Sequence, residues 1–145
     1  MTPEHIYRGQ CHCGAIALEF VSAREPEHLA VRACQCRFCR AHGARTTADP
    51  AGRVTIRIAD PGAVIRYRFA EKTADFLVCR VCGVYMAAML IDGDNAWATL
   101  NVNCFENADA FPKNPAPVSY DGEDAAARIA RRKTKWTPAR LIGAD

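Results

Sequence analysis

The chain is poor in everything that sends a protein into or through a membrane. Met1 to Gln10 is polar and lacks the apolar stretch of a secretory leader. The longest apolar run, Val84 to Ile91, is far too short to span a bilayer. Charge of one sign is scarce as well. Nineteen basic against 16 acidic side chains leave +3, mixed along the chain, which gives nucleic acid no support as the main partner. No internal repeat, low-complexity tract or long linker divides the sequence. These absences lead to the expectation of one domain over residues 1–145, kept in the cytoplasm. With 50% hydrophobic residues it can bury a real core.

That compartment is reducing and disfavours disulfides, so the eight cysteines need another use. Seven fall into three tight groups: Cys11-His12-Cys13, Cys34-Gln35-Cys36-Arg37-Phe38-Cys39, and Cys79-Arg80-Val81-Cys82-Gly83. In an extended segment, residues two apart point to one side, so Cys11 and Cys13 can share a metal while His12 faces away. In Cys79-x-x-Cys82-Gly83 a tight turn brings two sulfurs together, and the glycine lets the backbone bend, as in the half-site of a zinc ribbon. The middle group offers three thiolates. Joining the two pairs into one four-sulfur site (Cys11, Cys13, Cys79, Cys82) needs least strain, and leaves Cys34, Cys36 and Cys39 with an open fourth position. Spacing alone leaves a mixed partition open, and a redox-active triplet beside one structural zinc is a competing picture.

The first hundred residues otherwise read as short strands. Val54 to Ile58 and Val64 to Phe69 alternate apolar and polar, separated by a Pro61-Gly62 turn. Ala15 to Val21, Leu29 to Ala33, Phe76 to Val78, Tyr85 to Ile91 and Trp97 to Val102 are further candidates, with an Asp92-Gly93 turn between the last two. Phe111 to Val118, with three prolines, reads as an extended connection. Glu123 to Lys133 reads as one short helix, capped near Asp121, ahead of a tail to residue 145. The class is mainly β.

Several residues have two readings. Cys104 is a small hydrophobe at a strand end, or a ligand. His42, three residues after Cys39, can close the second site, orient a ligand or shuttle a proton, or only decorate a loop. His5 and His28 read as surface residues. Arg32, Arg37, Arg40 and Arg45 lie near the triplet, where guanidinium groups offset thiolate charge or hold carboxylates of an acidic ligand. The basic run Arg131, Arg132, Lys133 and Lys135 reads as a solvated helix end.

Gly9-Gln10-Cys11-His12-Cys13-Gly14-Ala15-Ile16, the triplet, Cys79-x-x-Cys82-Gly83-Val84, Asn101-Val102-Asn103-Cys104 and Tyr120-Asp121-Gly122 together resemble the family of glutathione-dependent formaldehyde-activating enzymes. The centromere-protein-V-like domains belong to the same family. The resemblance runs from about Tyr7 to Asp124. It implies Mss4-like packed antiparallel sheets around two zinc ions, the second in a three-thiolate site that can exchange it. Cys11, Cys13, Cys79 and Cys82 would hold the structural ion, and Cys34, Cys36 and Cys39 the one linked to activity. The chain departs from the common pattern at Gln35 and at Arg40-Ala41-His42-Gly43, both beside the triplet.

The function so implied is a carbon–sulfur lyase adding a small thiol such as glutathione to formaldehyde or a related aldehyde, with His42 available to carry the proton. The rival readings are a zinc module that binds protein or nucleic acid, and a thiol-redox protein built on the triplet. Against the module, aromatics are not interleaved with the basic residues, and a pure scaffold has no use for an open metal position.

Overall fold

The computed structural model describes residues 3–143. Among these, eleven strands and two α-helices follow one another: β1 (His5–Gln10), β2 (Ile16–Ser22), β3 (Val31–Cys34), α1 (Arg37–His42), β4 (Thr46–Thr47), β5 (Arg53–Ile58), β6 (Val64–Tyr67), β7 (Asp75–Cys79), β8 (Tyr85–Asp92), β9 (Asn95–Asn101), β10 (Ala116–Val118), α2 (Ala125–Lys135) and β11 (Thr137–Ile142). No helix among the described residues is long and apolar enough to cross a membrane.

The strands form one mixed sheet in the order β1-β2-β5-β11-β9-β4-β3-β10. Strand β9 is its branch point. One edge of β9 pairs with β8, which continues to β7 and β6. The other edge is divided, with Trp97 and Ala98 on β11 and Leu100 and Asn101 on β4. Alternation explains the local choices. In β5, Val54, Ile56 and Ile58 are buried while Arg53 and Arg57 face water. Each such full burial stabilises by about 1.5–3 kcal/mol.

Strand β8 is buried on both faces, from Tyr85 to Leu90, because it separates two cores. Met86, Ala87 and Met89 face a core containing Phe20, Ile56 and Leu100. Tyr85, Ala88 and Leu90 face a second one with Cys39, Phe76 and Trp136. Simple alternation would not put both Met86 and Ala87 on one side. The register explains it: Leu77 pairs with Ala87 and Val78 with Tyr85, leaving Met86 as the extra residue of a β-bulge. A bulge re-aims the chain on one side of itself, and here it swings Tyr85 toward the cysteine triplet.

The mainly β reading holds, with differences of detail. Two pairings are parallel, β11 on β5 and β10 on β3, where wholly antiparallel sheets were expected. The end of the 111–118 connection supplies β10. Helix α2 starts later than Glu123, because the Asp124 carboxylate, not Asp121, accepts the Ala127 amide at 2.8 Å. Strands β1, β4 and β11 and helix α1 were not anticipated.

Candidate metal centres

Cys11 and Cys13 occupy the turn between β1 and β2, and Cys79 and Cys82 the turn between β7 and β8. The turns share one plan. The Cys11 amide donates to the Ile16 carbonyl and the Cys79 amide to the Val84 carbonyl, each at 2.9 Å. Each turn contains a glycine with positive φ, Gly14 at +84° and Gly83 at +80°, a conformation side chains resist. The expected extended geometry for Cys11-x-Cys13 is therefore wrong: a tight turn, not alternation, aims both thiols. His12 is exposed, as expected.

The four sulfurs lie within 4.8 Å of one another. Cys13 Sγ is 3.7 Å from Cys11 Sγ and 3.5 Å from Cys79 Sγ. A tetrahedron with zinc–sulfur bonds of about 2.3 Å has edges of about 3.8 Å, so this donor set fits the ion closely. Backbone amides aim at the sulfurs, Ile16 at Cys11 (3.3 Å) and Cys82 at Cys79 (3.5 Å), and favour thiolates.

The triplet is built differently. Cys34 ends β3, Cys36 is the N-cap of α1, and Cys39 lies inside the helix. Cys36 Sγ accepts the Cys39 amide at 3.4 Å. The three sulfurs again lie within 4.8 Å of one another. A hydrogen bond from Cys39 brings the Cys34 thiol down to about 5, assisted by the Cys36 amide and the Arg131 charge. Giving that bond, together with burial, pushes Cys39 up. Three sulfurs with one thiolate already favoured suit a soft cation with an exchangeable position.

The triplet faces a cavity of about 500 Å³ that Tyr85, Phe76 and Trp136 help to enclose. Burial and the nearby thiols hold the Tyr85 phenol well above its usual range, so it stays protonated. Of the four arginines expected here, only Arg32 lines the cavity. Arg37 and Arg40 are exposed on α1, and Arg45 is bound to Asn103 Oδ1 (2.9 Å) and the Pro112 carbonyl (3.1 Å). The positive wall comes instead from Arg128, Arg131 and Arg132 of α2. The reading of this run as a solvated helix end holds for Lys133 and Lys135, which are exposed, and fails for Arg131 and Arg132; the i, i+3, i+4 spacing of Arg128, Arg131 and Arg132 was the available signal.

His42 is not grouped with the three sulfurs. It is exposed, its ring 4.6 Å from Phe38 and 5.5 Å from Tyr85, and it lines a second cavity with Cys82, Asn103 and Cys104. Tyr85 is common to both cavities. Cys104 joins neither sulfur group; its thiol faces the Tyr85 carbonyl and Met86 Sδ, each at 3.6 Å, and burial raises it to about 12. His28 is exposed, and His5 is half-buried beside Glu25 at 3.2 Å.

The family model described as glutathione-dependent formaldehyde-activating enzyme matches residues 6–119. The crystal structure of a Rhodobacter sphaeroides protein is similar at 26% identity and a TM-score of 0.53, over 76% of this chain and 97% of that one. No curated protein matches the chain.

Proposed function

The chain belongs to the family of glutathione-dependent formaldehyde-activating enzymes, and from that premise we propose that it adds a small thiol, glutathione first among them, to formaldehyde or a related small aldehyde. One observation carries the reading: Cys34, Cys36 and Cys39 bring three sulfurs together on the wall of a cavity of about 500 Å³. On this reading two zinc ions are held, one closed in by Cys11, Cys13, Cys79 and Cys82, and one at the triplet. Zinc at the triplet would supply a Lewis acid and lower the pKa of a ligand thiol.

The chain itself does the rest. Its cavity holds thiol and aldehyde side by side, which in favourable cases is worth roughly 7–11 kcal/mol over a chance encounter. A carbon–sulfur bond forms at the carbonyl carbon, the carbonyl π pair moves to oxygen, and the thiol proton ends there. The product is an S-hydroxymethyl thiol, with nothing oxidised or reduced. Tyr85, protonated and facing the cavity, is assigned as the donor to that oxygen. His42, its ring 5.5 Å from that of Tyr85, would exchange the proton with solvent.

Zinc per chain, measured on the wild type and on Cys36→Ser, tests this together with exchange between glutathione and ¹³C-formaldehyde followed by NMR. Two ions falling to about one, with catalysed exchange lost, support the reading. One ion in both samples, with no catalysed exchange, would move a redox role for the triplet ahead. Salt-sensitive binding to nucleic acid without turnover would favour the non-catalytic module.

A further inference from the structure

The cysteine cavity has a wall drawn from outside the stretch that defines the family. Helix α2 begins at Ala125, beyond residue 119, and lines the cavity with Arg128, Arg131 and Arg132. Three cations on one helix face repel one another unless something offsets them. Glu123 offsets part of this charge. Its oxygens accept from Arg131 Nε at 2.9 and 3.1 Å and lie 3.7 Å from Arg128 Nε. Arg131 also lies over the Tyr120 ring at 3.5 Å.

Arg132 has no such partner. Among the described residues no carboxylate lies within 4.0 Å of it, although it is only 7% exposed. One terminal nitrogen donates to Thr73 Oγ1 at 2.6 Å, and the guanidinium lies 4.8 Å from the Trp136 ring. Its Nε is buried without a hydrogen bond, and so is that of Arg128. Burial lowers Arg132 to about 10, which leaves it charged at neutral pH. A buried guanidinium with no counter-charge in contact with it, and with an unused donor, is costly for a fold to keep. Glu71 and Asp121 also line the cavity, but neither forms an ion pair there, and Arg32 and Lys135 add further positive charge.

We propose that Arg132 and Arg128 form an anion subsite in the cysteine cavity, so that the ligand bound there carries a carboxylate paired with their guanidinium groups. The inference rests on the proposed function only for which partner brings the carboxylate, the thiol or the carbonyl compound. It also makes α2, rather than the cysteine framework, the element that sets specificity.

Calorimetric titration tests the proposal without any turnover. S-methylglutathione keeps both carboxylates but has no free thiol; its diethyl ester keeps the shape and loses the charge. Glyoxylate represents a carboxylate carried by the carbonyl partner. The expectation is that S-methylglutathione binds the wild type and that its diester binds at least about 10-fold more weakly. Arg132→Met should weaken the diacid by about 10- to 100-fold, the range of one charged hydrogen bond, and leave the diester unchanged. Glyoxylate binding that is lost in Arg132→Met, with no binding of S-methylglutathione, would support the subsite and assign the carboxylate to the carbonyl partner.

Arg128→Gln repeats the test at a less buried side chain should Arg132→Met fail to fold. A merely structural Arg132 would weaken diacid and diester alike, which overturns the proposal. Equal affinity of wild type and both variants for the diacid overturns it too, as does no binding of any probe. Catalysed thiol addition without charge selectivity would sink the subsite alone. Charge-selective binding without catalysis would sink the thiol-adding reading alone.

Discussion

Replacing Cys79 with serine should strip most of the protein's stability, while the same change at Cys36 should leave the fold standing. Cys79 is fully buried at the end of β7, and its sulfur lies 3.5 Å from that of Cys13, 66 residues earlier. A metal joining those turns closes a loop of that length, which on a chain-entropy model is worth roughly 4 kcal/mol. A serine there can keep the Cys82 amide that the Cys79 sulfur accepts at 3.5 Å, so the cost is that of the lost closure. A loss of roughly 4 kcal/mol lies close to the lower end of the about 5–15 kcal/mol that holds a domain together. At Cys36 the replacement is benign, because its sulfur caps α1 by accepting the Cys39 amide at 3.4 Å. Serine is among the best N-caps, so its hydroxyl inherits the bond at a cost below about 1 kcal/mol. Urea unfolding followed by circular dichroism, with zinc per chain measured on the same samples, reads both. Cys36→Ser should unfold cooperatively near the wild-type midpoint, and Cys79→Ser should shift by several kcal/mol or show no folded baseline. The reverse order, or equal losses, would refute the division into a structural and a reactive site.

Tyr85→Phe removes one hydroxyl and leaves the ring in its core, so it should keep the fold and slow catalysed exchange by about 100-fold; an unchanged rate would make Tyr85 only a wall. Asp75 is buried and accepts from Arg66 at 3.4 Å and from Arg68. Both arginines can turn to water if it is lost, so Asp75→Asn should cost about 2–3 kcal/mol in urea, less than a fully buried pair. The hydrogen bond from Arg131 holds the Glu123 carboxyl below its ordinary value of 4.5. Its stabilisation is therefore complete above that pH and is lost as pH falls through the folded-state value. Melts between about pH 3 and 6 should show this loss in the wild type and a smaller one in Glu123→Gln.

What was legible in the sequence followed physical locality. Cysteine spacing identified which thiols belong to one turn, because a turn is a local object, and β5 and β6 showed themselves by alternation. Strand β1 hid because only Tyr7 and Gly9 of its six residues are buried, while Ile6 is exposed. Strand β11 hid behind Pro138, which falls where the chain passes from β9 to β5. Helix α1 has six residues and one buried side chain, Cys39, too little for any periodic pattern. The role of α2 in the cavity is wholly tertiary: a string of arginines looks the same whether it faces water or a ligand.

Strand β11 comes late in the chain, yet it lies inside the sheet, between β5 and β9. During synthesis the β1-β2-β5 ribbon can form early, but the edge of β5 that β11 covers stays bare until residues 137–142 emerge. The β11-facing part of β9 waits in the same way. Two unpaired edges are an invitation to pair with another chain. A polypeptide cut short before Trp136 would present both of them at once, and should accumulate as aggregate rather than as a slightly smaller soluble protein.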